Sequence, residues 1–215
     1  MTRRPPARKR PFPPPGVAAT TEDPFGRFAP APEVLAWLRS EILQEGGAIH
    51  NPDHQHLLDA DLQVLWAPDS FKSKGKGVIG TAEEVMFRCN AWQRGRQEQQ
   101  LTEWFGHVPT YLITLSAHYA THCSDADFCA LVEHELYHIA QERNEFDQPM
   151  YGRDGSPKLA IVGHDVEEFV GVARRYGVGD PDGALARLAA AARGAPAVSR
   201  AEIAGACGTC LLRAA

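Results

Sequence analysis

The apolar positions follow helical or strand spacing in most of the chain after residue 32. From Pro32 they recur every three or four residues, which predicts a helix that ends before Gly46. Apolar and polar residues then alternate over 62–66. After a turn rich in lysine and glycine, we predict 78–85 as the returning strand of a hairpin. The clearest strand is 111–119, where β-branched and aromatic residues alternate between two faces.

Helical spacing dominates the second half of the chain. Ser124 begins an S-x-x-D start signal for a helix over about 125–143. A loop rich in Gly, Pro and Asp leads to a further helix over about 164–176, and an alanine-rich helix follows at 184–193. We therefore predict an α+β fold with a small twisted sheet.

The segment before the first helix differs in composition from the rest of the chain. Residues 1–32 contain most of the prolines and little apolar periodicity, which is typical of a disordered tail. We predict a folded domain over 33–180 and a C-terminal helical extension over 181–215. The basic tail is typical either of a solubilising linker or of an arm that binds nucleic acid or a partner protein.

Charge and cysteine content narrow the class of protein. The net charge is -5 although the chain starts with a cluster of cations, so the remaining chain is acidic and does not form a nucleic-acid surface. An odd number of cysteines, 5, in a chain of this length favours reduced thiols. No apolar stretch follows the basic start, and no long apolar run is present. We expect a soluble cytoplasmic protein with no membrane association.

The predicted helix after the clearest strand carries the motif HExxH, formed by His134, Glu135 and His138. Residues four apart on a helix lie on the same face, so both imidazoles can bind one zinc ion at about 2 Å from each nitrogen. Glu135 is displaced around the helix and can act as general base toward a water molecule. The motif predicts zinc-dependent hydrolysis.

Two histidines leave a catalytic zinc site incomplete, so a third ligand must come from elsewhere in the chain. Downstream lies GHDVEEF, over 163–169. The two motifs together resemble those of the SprT-like zincins, in which a Gly-His follows HExxH some two dozen residues later, with a Phe shortly after. HELYHIA with HDVEEFVGVARRYG is more similar still to the family of putative phage metallopeptidases. The resemblance extends over about residues 34–177.

This resemblance implies a zincin-like domain in which an edge strand packs near the HExxH helix. It also implies His164 as the third zinc ligand, with Glu168 or Glu167 as the alternatives. Asp165 or Glu168 could instead support a ligand imidazole from behind. The chain departs from the SprT-like pattern at Asp165, where those proteins commonly have Gly.

The resemblance further implies that an extended peptide substrate pairs with an edge strand, for which 111–119 is the candidate. Stabilising the oxyanion requires a hydrogen-bond donor near the metal. The candidates are His118, Tyr119 and Tyr151.

Two further clusters carry weaker metal signals. Cys207 and Cys210 have the spacing of half a zinc knuckle, but a redox pair or two buried thiols give the same pattern. His50, His54 and His56 surround a predicted turn and could form a second metal site, although loop histidines without matching carboxylates usually bind no metal.

The function predicted from these observations is that of a zinc metallopeptidase acting on polypeptides. Peptide deformylases also use HExxH, but they need an upstream Gly-Cys-Leu-Ser stretch that this chain lacks. The alternative from another class is a binding or regulatory module of phage origin that zinc only braces and that contacts DNA through the basic tail. Glu135 argues against this alternative, because a purely structural zinc site needs no base.

Overall fold

A computed structural model of the chain describes residues 9–23, 26–73, 75–166 and 182–196. Its centre is a four-stranded mixed sheet, in which the third strand in spatial order pairs parallel with the second and antiparallel with the fourth. In spatial order the strands are β1 (Ala29–Pro30), β2 (Leu62–Ala67), β6 (Tyr111–Ser116) and β5 (Gly80–Glu84). Helices cover both faces of the sheet, and this content confirms the predicted α+β class.

The larger core lies on one face of the sheet, because alternate residues of a strand point to opposite faces. Val64 and Ile113 are buried on this face together with Phe128. The helices that contribute to this core are α1 (Pro32–Leu38), which continues as a π-helical turn (Arg39–Leu43), and α4 (Asp125–Tyr137). The helix predicted from Pro32 is thereby confirmed.

A smaller cluster on the opposite face contains Leu65 and Leu112 from the strands and Leu101 from α2 (Ala91–Phe105). Hydrophobic spacing did not predict α2, because Leu101 is the one buried residue among its 15. Its beginning does carry a signal: Asn90 and the glutamine three residues later form a capping box.

The predicted hairpin between 62–66 and 78–85 is wrong. β2 pairs with β6, and β5 lies on the far side of β6. A shorter hairpin, β3 (Phe71–Ser73) with β4 (Lys76–Val78), occupies the intervening segment. Parallel pairing joins segments far apart in the sequence, so local alternation carries no information about it.

The predicted strand over 111–119 ends early. The side chain of Ser116 accepts a hydrogen bond from the Tyr119 backbone N–H and begins α3 (Ala117–His122). β6 is also an inner strand, paired on both sides, so it cannot serve as the edge strand that we expected to bind substrate. Among the described residues the edge next to β6 belongs to β5, which contacts α4.

The helix predicted over 125–143 begins as expected at Ser124, whose side chain caps it, but it ends at Tyr137. The chain turns after His138 into β7 (Ile139–Gln141), which pairs with β8 (Leu159–Ile161). The HExxH motif therefore occupies the last turn of the helix and ends at its C-cap residue, His138.

The C-terminal part is described only in pieces. The alanine-rich helix is confirmed as α5 (Ala184–Arg193). Most of the helix predicted at 164–176 lies outside the described residues, as do Cys207 and Cys210. Within the described ranges no helix is long and apolar enough to span a bilayer.

The tail predicted over 1–32 is described in part, and residues within it make specific contacts with the folded domain. Arg10 is only 5% exposed, and its guanidinium donates to the carbonyls of Ala120 and Cys123, each at 2.8 Å, and to Asp125 at 2.6 Å. Val17 is buried in the main core. The average composition of the segment does not reveal single residues, such as Arg10 and Val17, that contact the folded domain. Their contacts offset the entropy of ordering the chain. The domain boundaries at 33–180 and 181–215 stay predictions.

Candidate metal centre

Three imidazoles meet at one point beside the last turn of α4. His134 Nε2 lies 3.3 Å from His138 Nε2 and 3.1 Å from His164 Nε2. The helix brings the first two together because they are one turn apart. His164 follows β8, and the pairing of β8 with β7 returns the chain to the end of α4.

The spacing of these nitrogens suits a tetrahedral metal ion. Ligand nitrogens at about 2.0–2.1 Å from zinc in tetrahedral geometry are about 3.3 Å from one another. The distances of 3.3 and 3.1 Å agree with this value. A set of imidazoles also matches the ligand preference of zinc among several transition metals. The three residues can therefore hold one metal ion and leave a position open.

Backbone pairing orients one of these imidazoles. His138 Nδ1 donates to the carbonyl of Val162 at 2.8 Å, and the Val162 N–H donates to the His138 carbonyl at 2.8 Å. The carbonyl selects the tautomer with the proton on Nδ1, which leaves the Nε2 lone pair directed at the other two rings.

Glu135 is fully buried, with 0% exposure, beside the first residue of β5. A Cβ added at Gly80 would lie 2.7 Å from Glu135 Oε1 and 2.9 Å from Leu131 Cδ1. Glycine at position 80 thus gives the carboxylate room against the strand. Sequence reasoning missed Gly80, because nothing in the local pattern shows which helix the strand will meet.

A cavity of about 790 Å³ opens over the three histidines. Its walls come from α4, from the segment that follows β8 and from α5. Asp165, predicted as a supporting residue, lines this cavity and is exposed. Glu167 and Glu168 lie outside the described residues. The described lining residues are Ala130, His134, Tyr137, His138, Val162, Gly163, His164, Asp165, Val166, Ala184, Arg187, Leu188 and Ala191.

None of the three predicted oxyanion donors is among these described lining residues. His118 packs against His122, with 4.7 Å between ring centroids. Burial raises the pKa of Tyr119 to about 12, and the nearby charge of Arg10 only partly opposes this shift. Tyr151 lines a separate cavity. The role expected for these residues therefore has no geometric support.

Tyr137, within the motif itself, lines the metal cavity and was overlooked. Its hydroxyl donates to Asp53 Oδ2 at 2.9 Å and accepts from Asn51 Nδ2 at 3.0 Å. Burial is the main cause of the raised pKa of this phenol. A tyrosine between two ligand positions could have been recognised as a wall of the site, since it lies one residue from His138.

The second histidine cluster does not assemble into a metal site. His50 Nδ1 bonds the Ile42 carbonyl at 3.1 Å, and His56 Nε2 bonds the Ile139 carbonyl at 2.8 Å. His54 is fully buried, and burial lowers its pKa to about 4. Among the described residues, His134, His138 and His164 form the one group of three or more side chains placed to share an ion.

Comparison with family models matches residues 35–193 to the family described as "Putative phage metallopeptidase". The chain belongs to this family. Comparisons with curated proteins and with solved structures find no match. Membership confirms the resemblance to the phage metallopeptidases, and the likeness to SprT-like zincins stays a prediction. The family name implies a metal ion and a polypeptide substrate, and the three histidines are the described residues that could hold such an ion.

Proposed function

We propose that this phage metallopeptidase family member hydrolyses peptide bonds with one zinc ion, held by His134, His138 and His164, and with Glu135 as general base. The observation that carries the proposal is the convergence of three Nε2 atoms at separations that suit one tetrahedral ion. A structural zinc site would use a fourth protein ligand, whereas the described residues supply three. If these three residues hold the ion, the fourth position would be the one that a hydrolase uses for water.

Zinc bound in this site would lower the pKa of a bound water molecule toward neutrality. Glu135 would accept the proton of the attacking water on its carboxylate and return it to the leaving amine. Glu135 directly follows His134 on α4, and glycine at position 80 leaves room for its carboxylate beside β5.

The orientation of the ligands comes from the chain itself. The carbonyl of Val162 holds His138 in the tautomer that binds metal through Nε2. The cavity of about 790 Å³ is large enough for the residues on either side of a scissile bond. Its lining is mostly apolar, which favours an aliphatic side chain next to that bond.

Glu135→Gln tests the proposal, because it keeps the shape of the side chain and removes its basicity. We expect zinc to remain at about one ion per chain while peptide hydrolysis falls by at least about a hundredfold. Metal content is measured by mass spectrometry and turnover with a peptide library. Glu133→Gln is the matched control, since this residue lies on the same helix but outside the HExxH motif.

Unchanged turnover in Glu135→Gln would remove this residue as the base. A parent protein that is fully loaded with zinc and cuts no peptide would favour the binding or regulatory module instead.

A further inference from the structure

One face of α5 forms a wall of the metal cavity. Ala184, Arg187, Leu188 and Ala191 line the cavity, and their spacing of three, four and seven residues places them on one side of the helix. Leu188 remains 54% exposed, so this side of the cavity is accessible to solvent. The C-terminal extension therefore contributes directly to the surroundings of the three histidines.

Arg187 is the one cation among the described residues that line this cavity. Its Nη1 donates to the backbone carbonyl of Asp182 at 2.8 Å, which holds the side chain near the start of the helix. The ion pairs of the described residues do not include it. A guanidinium has five N–H donors in a planar fork, so most of its donors remain for another group.

We propose that Arg187 binds a carboxylate of the substrate, so that the enzyme prefers polypeptides with an acidic side chain or a free C-terminus near the scissile bond. This inference rests on the proposed peptidase function and names the substrate class of the same site. The apolar part of the wall, including Val162, Val166 and Leu188, accommodates an aliphatic side chain beside that carboxylate.

The planar guanidinium fork supports a carboxylate over other groups, because it can donate two parallel N–H bonds to the two oxygens. This local contact has to act against the net charge of -5 of the chain and beside Asp165, which lines the same cavity. Arg187 is exposed, and water weakens the pair, so we expect a preference of about tenfold for a carboxylate over the matching amide.

The experiment uses three fluorescent peptides of the same length. One has Glu beside the cleaved bond and an amidated C-terminus, one has Gln there and a free C-terminus, and one has Gln and an amidated C-terminus. Binding is measured by anisotropy to the zinc-loaded Glu135→Gln protein, which does not cut the peptide. The values of kcat/KM are measured with the parent.

We compare Arg187→Gln and Arg187→Lys with Arg193→Gln, a change of the same type on the same helix outside the described cavity lining. Arg187→Gln should abolish the preference of about tenfold for a carboxylate, and Arg187→Lys should retain part of it. Arg193→Gln should leave it unchanged. The peptide that shows the preference identifies the source of the carboxylate.

Equal loss of binding for all three peptides in Arg187→Gln, or an undiminished carboxylate preference, would overturn the inference. A carboxylate preference in binding without any hydrolysis by the parent would support Arg187 and overturn the peptidase function alone. Failure of every peptide to bind would overturn both.

Discussion

His134, His138 and His164 direct ring nitrogens at one point, whereas His50 and His56, close to each other in the sequence, bond to carbonyls of two different elements. In the first group the helix and the β7–β8 hairpin set the positions of the rings. In the second group a short 3-10 turn (Pro52–Leu57) carries His54, which is buried, and His56, which bonds the Ile139 carbonyl.

Proximity of histidines in the sequence is therefore a poor guide to metal binding. His138 also bonds a carbonyl, but through Nδ1, so that Nε2 stays directed at the other two imidazoles. His54 is enclosed completely and packs edge-on against Tyr137, with 4.4 Å between ring centroids. Tyr137 thus contacts His54 of the second group and directly precedes His138 of the first group. Only the first group is placed to share an ion.

The largest effect that we expect is on zinc content, which should differ between variants of the two histidine groups. His134→Ala leaves two of the three ligands, so zinc should bind more than about a hundredfold more weakly and be removed by dialysis. His56→Ala, the matched change in the other group, should retain about one zinc per chain. Metal content after dialysis is the measurement, and full zinc occupancy in a His134→Ala, His138→Ala double variant would refute the site.

The third ligand can be distinguished from its neighbours by the same measurement. His164→Ala should emerge from dialysis without zinc, because its Nε2 belongs to the converging group. Asp165→Ala and Glu168→Ala should keep the metal and lose activity by about ten- to a hundredfold at most, as residues that support a ligand do. Loss of zinc from Glu168→Ala with retention in His164→Ala would transfer the ligand role to the glutamate.

His54 should make the free energy of unfolding depend on pH even when no metal is bound. Burial lowers its pKa from 6.5 to about 4, so the folded protein keeps this imidazole neutral where the unfolded chain takes up a proton. The free energy of unfolding is unaffected by this group above pH 6.5. It decreases as the pH falls toward 4, by about 3 kcal/mol in total, because only the unfolded chain takes up the proton.

The free energy of unfolding in urea, measured at pH 7.5 and 4.5 with a chelator present, checks this prediction. His54→Phe should lose less stability than the parent between the two pH values, and His50→Phe should behave like the parent. An equal loss in parent and His54→Phe would assign the pH dependence to other groups.

The smallest effect is expected where the two groups meet. Tyr137→Phe removes the hydrogen bonds to Asp53 and Asn51, which should lower stability by about 1 kcal/mol. Zinc affinity, measured by competition with a chelator, should change by no more than about threefold if these hydrogen bonds do not position the metal ligands. Tyr151→Phe provides the control. A much larger loss of affinity would show that the Tyr137 hydroxyl and its contacts with Asp53 and Asn51 help to position the ligands.

Features with local causes could be predicted from the amino-acid sequence alone. Ser124 caps its helix through a side chain three residues from its partner, and the HExxH spacing places two imidazoles on one face of that helix. These two features depend on a few neighbouring residues and on the helical period, so they can be read without the fold. His164 could be proposed as the third ligand only through the resemblance of its motif to that of a known family.

Contacts between distant segments could not be predicted and are seen only in the folded chain. The parallel pairing of β2 with β6, the approach of Glu135 to Gly80 and the burial of Arg10 all join residues far apart in the chain. The end of α4 at Tyr137 follows from the pairing of β7 with β8, which competes with helical continuation. Such contacts depend on the summed packing of the whole domain, and local periodicity carries no record of them.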